Sequence, residues 1–94
     1  KLGQGVEMDQ NESINWLKLA ADNGHTDAQY SLGNIYFQGN GLEQDYVTAY
    51  MWWILAEKTG EKDVSNNKLA AEKKMTKIEI QDAELLAKEW IKKQ

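Results

Sequence analysis

Residues 26–60, TDAQYSLGNIYFQGNGLEQDYVTAYMWWILAEKTG, hold the pattern on which the fold reading turns. Thr26 with Gln29 predicts a capping pair that opens a helix running to about Gln38. Ala28, Leu32, Ile35 and Tyr36 recur along it at helical spacing and form a core stripe, and Gly33 beside them admits a neighbouring backbone. Gly39-Asn40-Gly41 then breaks the helix with residues that tolerate positive φ. Asp45 is placed to cap a second helix, Tyr46 to Thr59, and Gly60 suits its left-handed end. That second helix is apolar all round, which predicts burial on several sides, as in the middle layer of a helical stack.

Moving outward, the same scheme recurs. A shift of 36 residues lays Leu2–Ala28 on Gln38–Val64 without a gap, and nine of the 27 positions are identical. They include Gly3/Gly39, Gly5/Gly41, Glu7/Glu43, Asp9/Asp45, Trp16/Trp52, Leu19/Leu55, Ala20/Ala56, Gly24/Gly60 and Asp27/Asp63. Asp9 and Glu12 therefore predict a cap for a helix that ends near Asn23. A third unit is expected from about Asp63, with a polar helix to about Lys74. Thr76 and Glu79 then form a capping box for a last helix to Lys93. Its inward face is read as Ile80, Ala83, Leu86, Ala87, Trp90 and Ile91, with Lys77, Gln81, Glu84, Lys88 and Lys92 outward. One wet face is what a terminal cap of a repeat array needs. The expectation is an all-α protein, an α/α superhelical solenoid of helix-turn-helix repeats with about five helices. Residues 1–25 form a partial repeat, 26–61 a complete one and 62–94 a capping helix pair.

Composition narrows the function classes. Ninety-four residues suit one small domain, and a chain of that size buries about 60–65% of its unfolded surface. Eleven Lys face fifteen Asp and Glu, and Arg is absent, so the side chain best suited to bidentate phosphate recognition is missing. The Lys are interleaved with Glu in no basic stripe, so neither nucleic acid nor an anionic membrane is an expected partner. With no cysteine there is no disulfide and no thiolate chemistry. The chain opens at Lys1 without Met or a signal segment, which gives the expectation of a piece of a longer protein that ends naturally at its C-terminus.

Taken together, Ala28, Leu32, Gly33, Tyr36, Gly39, Gly41, Leu42, Asp45, Ala49, Trp52, Ala56 and Gly60 resemble the Sel-1-like repeat, a relative of the tetratricopeptide repeat. The preceding half-unit resembles it at Gly3, Gly5, Val6, Asp9, Trp16, Ala20, Ala21 and Gly24, and Met75 to Trp90 is similar to the closing helix of bacterial members. Leu42 and Glu57 depart mildly from the pattern, where Val and Ala are usual. The resemblance implies a right-handed superhelix of helix pairs that acts as a scaffold for protein–protein interaction, without catalysis and without a cofactor.

The residues themselves point to one binding surface. Tyr30, Asn34 and Phe37 form a second line on the helix after Thr26, beside Gln38 and away from the core stripe. In helix-pair arrays the first helix of each unit lines the concave surface, so these four are the candidate partner-binding residues for a protein or peptide. Packing of Tyr30 and Phe37 on the next unit is the competing reading. Phe37→Ala is expected to weaken partner capture and leave the melting temperature nearly unchanged, whereas a large loss of stability would mark Phe37 as core. The other chemical candidates read as structural. His25, the single histidine, follows a helix stop and has no second His or Cys to ligate with. Most of the carboxylates fall at helix caps or on solvated faces. Trp16, Trp52 and Trp90 read as core positions, and Trp53 as packing between units. Ser65-Asn66-Asn67-Lys68 fits S-x-x-K and Lys58-Thr59-Gly60 fits K-T-G, which leaves a cell-wall-related β-lactam binder or weak hydrolase as the alternative function. The first string is common by chance, and the second falls where the repeat demands a helix end rather than a strand. Finally, Ile14, Trp16 and Leu17 are expected to be under-covered, so that the helix from Asn11 to Asn23 pairs with another chain as a homo-oligomer.

Overall fold

The computed structural model describes residues 10–60 and 64–94 of the 94. Five helices follow one another: α1 Gln10–Asp22, α2 Thr26–Gln38, α3 Tyr46–Thr59, α4 Val64–Glu72 and α5 Lys77–Lys93. No strand occurs among the described residues. The helices stack into a solenoid with extents of 47 × 28 × 21 Å. The expected caps at Asp9 and the start of the third unit at Asp63 lie outside the described residues, as do Gly3, Gly5, Val6 and Glu7.

α3 is the middle of the stack. It packs against α2, α4 and α5, while α1 packs on α2. Its all-round apolar sequence is consumed on two sides, which agrees with the expectation for a middle layer. Trp52 and Leu55 join Ala21, Ala28, Leu32 and Ala87 in one core, where the Trp52 and Trp90 rings meet edge-on at 6.1 Å. Tyr50, Trp53 and Ala56 join Val64, Ala71 and Ala83 in a second. Trp53 therefore spans two units, as its position beside Trp52 predicts.

Two of the expected caps form. The Asp45 carboxylate accepts from Thr48 N at 3.1 Å and from Thr48 Oγ1 at 2.7 Å. Thr76 Oγ1 accepts from Glu79 N at 3.1 Å, while the Thr76 N–H donates to Glu79 Oε1 at 2.8 Å, so both halves of the box are closed. The third does not form. His25 holds the cap position of α2 with no side-chain cap bond. Thr26 Oγ1 instead donates toward Thr59 Oγ1 at 2.6 Å. Gln29 is 0% exposed, donating from Nε2 to Ala21 O at 3.1 Å and accepting from Thr59 Oγ1 at 3.3 Å. Tertiary bonds that join the ends of α1, α2 and α3 have taken the two side chains that local capping would have used.

Other departures have similar causes. Gly33 admits the Trp53 indole rather than a backbone. Trp16, read both as a repeat core position and as under-covered on α1, is 62% exposed, and Leu19 beside it is 55% exposed, because α1 is covered by α2 along one face only. Ile14, expected to be under-covered, is buried, with its Cδ1 close to Gly41. On α5, Ala83 and Ala87 are buried and Ile80 and Trp90 half-buried, but Leu86 and Ile91 lie at 41% and 44% exposure. The small alanines, and not the larger residues at the stripe's edge, let α5 approach α3.

Candidate functional site

A groove of about 270 Å³ runs between α2 and α4, with Trp53 of α3 in its lining. Asn34, Phe37 and Gln38 come from α2, and Asn66, Asn67 and Ala70 from α4. Each helix contributes residues three or four apart, which places them on one face. Among the described residues no charged side chain lines the groove.

Three of the four residues read from the sequence meet here. Asn34 and Asn67 link the two helices: Asn67 Nδ2 donates to Asn34 Oδ1 at 3.0 Å. Phe37 lies on the apolar side, its ring 5.4 Å from those of both Trp53 and Tyr46. It is half-buried rather than an exposed anchor, so packing on α3 and contact with the groove are both part of its environment. Gln38 is exposed at the rim. Tyr30 stands apart from the lining. Its carbonyl accepts from Trp53 Nε1 at 3.3 Å, and its hydroxyl accepts from Asn67 Nδ2 at 3.5 Å. It holds the groove's members in place from one turn away.

Asn66, Asn67, Trp53 and Ala70 were missed by reasoning along one helix. The adjacent carboxamides Asn66-Asn67, in the first turn of α4, are the signal that could have found them. Their relation to Asn34 depends on how α4 lies beside α2, which no spacing within α2 states.

The polar groups on the other side of α4 are already engaged. Tyr50 Oη donates to Glu72 Oε2 at 2.6 Å. Burial first, then this hydrogen bond and the charges of Glu72, Glu84 and Glu57, push the Tyr50 hydroxyl far above its ordinary range. Burial, with the Asp45 charge, also raises Tyr36. Lys68 Nζ pairs with Glu57 Oε1 at 2.9 Å and sits 5.5 Å above the Tyr50 ring. The two strings that fit penicillin-recognising motifs are thus separated by their roles. Lys68 pairs with Glu57 while Ser65 is exposed, and Lys58-Thr59-Gly60 ends helix α3, with Thr59 Oγ1 within hydrogen-bond reach of Leu55 O at 3.2 Å and Ala56 O at 3.1 Å. His25 is an exposed residue at the start of α2. Among the described residues no three His, Cys, Asp or Glu converge in a way that could hold a metal ion, and no helix is long and apolar enough to cross a membrane.

Comparisons with known proteins agree with this architecture. The pattern of the Sel1 repeat matches residues 1–25 and 26–60. Among solved structures, the chain is similar to a protective antigen present in uropathogenic Escherichia coli strains displaying an SLR fold, at 37% identity and a TM-score of 0.82. The match covers 96% of this chain and 20% of that one, so the chain spans about a fifth of the antigen's length. No curated protein matches the chain. Two consecutive matched repeats, set in a helical solenoid that superposes on an SLR-fold protein, show that the chain belongs to the Sel1 repeat family, whose repeats generally mediate protein–protein interaction.

Proposed function

We propose that this chain is a non-catalytic scaffold that binds a protein or peptide partner in the groove between α2 and α4. The observation that carries the reading is the groove itself. Half-buried Phe37 and buried Trp53 supply an apolar wall, and Asn34, Asn67, Asn66 and Gln38 surround it with carboxamides. An aromatic anchor within a polar rim is the usual anatomy of a recognition site. The polar cluster on the other side of α4 supports the same reading, since Lys68 is paired with Glu57 and Tyr50 with Glu72. No observation favours the β-lactam alternative, because Lys68 is held by Glu57.

The test inserts charge at the rim. A Gln38→Lys, Asn66→Lys double variant, both exposed positions, is compared with Lys88→Glu on α5 for proteins retained from a lysate of the source organism. The proposal expects a retained protein that the rim variant loses and the α5 variant keeps. Equal retention by both variants contradicts it.

A further inference from the structure

The Asn34–Asn67 pair is incomplete as a hydrogen-bonding unit. One bond joins them, from Asn67 Nδ2 to Asn34 Oδ1 at 3.0 Å. A carboxamide has two donor hydrogens and an acceptor oxygen, so a single bond between two of them uses one donor and one acceptor. Asn34 keeps its whole NH2 group, and Asn67 keeps its carbonyl oxygen, with no protein partner for either among the described residues. Turning both amides over leaves the same remainder, one NH2 and one C=O on the two helices. Both residues are half-buried and line the groove.

A free donor and a free acceptor, on two carboxamides already bonded to each other, are the complements of the C=O and N–H of a polypeptide main chain. Beside them lie Phe37, Trp53 and Ala70, which can take an apolar side chain. Among the described residues the lining contains no cation to hold a terminal carboxylate or a phosphate, and no carboxylate to hold a basic side chain. Lys68, the lysine on α4 next to Asn67 in sequence, is tied to Glu57.

Resting on the reading of this groove as the partner site, we infer that its occupant is an extended, uncharged peptide segment. Its main-chain amide completes the Asn34–Asn67 pair, and one apolar side chain lies against Phe37 and Trp53. Recognition of this kind is insensitive to salt, because no ion pair forms.

The probe is a displayed library of random linear peptides selected on the full chain. The inference expects enriched peptides that are uncharged around an aromatic or aliphatic residue and whose affinity is the same at low and high salt. N-methylation of one main-chain amide beside that residue weakens binding by about tenfold or more. Asn34→Leu and Asn67→Leu do the same, with an unchanged helical spectrum showing that each variant is folded. Enrichment of charged peptides that bind in a salt-dependent way, and that Gln38→Lys still releases, overturns the inference and leaves the groove as the partner site. Peptides whose binding none of these variants alters, or a selection with no enrichment, overturn both.

Discussion

Trp53 fills the space that a side chain at position 33 would need. A Cβ built on Gly33 would stand 2.5 Å from Trp53 Cδ1 and 3.0 Å from Cε2, and the indole cannot retreat because Trp53 is 1% exposed. The absence of a side chain at 33 thus sets how closely α2 and α3 approach and places Trp53 in the groove. Gly33→Ala forfeits that closeness. Better helix propensity returns about 1 kcal/mol, but overpacking costs about 1–3 kcal/mol, more if both helices must move apart. The expected result is a lower urea midpoint and a melting temperature reduced by several degrees, and the groove widens in step.

Phe37→Ala is expected to lower stability, contrary to what an exposed anchor would do. The ring packs on Trp53 and Tyr46 at 5.4 Å, so its loss opens a partial cavity. Full burial would make this cost about 3–5 kcal/mol, and half-burial brings the expectation to about half that. Thermal melting of Phe37→Ala beside Phe37→Leu measures it, with the leucine variant recovering most of the loss.

Gln29 joins three helix ends. Its side chain is fully buried between Ala21 O and Thr59 Oγ1, at 3.1 and 3.3 Å. Gln29→Ala removes both bonds and leaves a void, for an expected loss of about 2 kcal/mol. Chemical denaturation checks it. Thr26→Ala should cost less, because Thr59 keeps carbonyl partners on its own helix.

Alkaline pH should destabilise the fold through Tyr50. Its hydroxyl titrates at an ordinary 10.0 when unfolded and well above that when folded. The stabilisation is therefore complete below that value and is lost as pH rises beyond it, because only the unfolded chain releases the proton there. Urea midpoints taken from neutral to strongly alkaline pH are expected to fall above about 10. Tyr50→Phe lowers the midpoint at neutral pH, since Glu72 loses its donor, and makes the alkaline fall shallower.

Much of this fold was legible because each local signal served the global one. Asp45, Thr76 and Glu79 cap where their spacing says, and α3 is buried on several sides because it has no polar face. Thr26 and Gln29 misled because a side chain able to cap can equally bond across helices, and only the assembled core decides which. Leu86 and Ile91 misled because helical periodicity marks a stripe but not its edge, and the close approach of α5 falls on Ala83 and Ala87. Half of the groove was legible on α2. The other half, Asn66, Asn67 and Ala70, belongs to a helix whose orientation follows from the packing of Val64 and Ala71 on α3, which one helix's sequence does not encode.

Occupation of the α2–α4 groove by a partner is the step on which the proposed function stands. Its most direct test is a photo-crosslinking residue at position 38 on the groove's rim, with a control at exposed Lys88 on α5, each irradiated in a lysate of the source organism. Occupation of the groove predicts one protein joined at 38 and absent at 88. The same adducts at both positions, or an adduct at 88 alone, would contradict it.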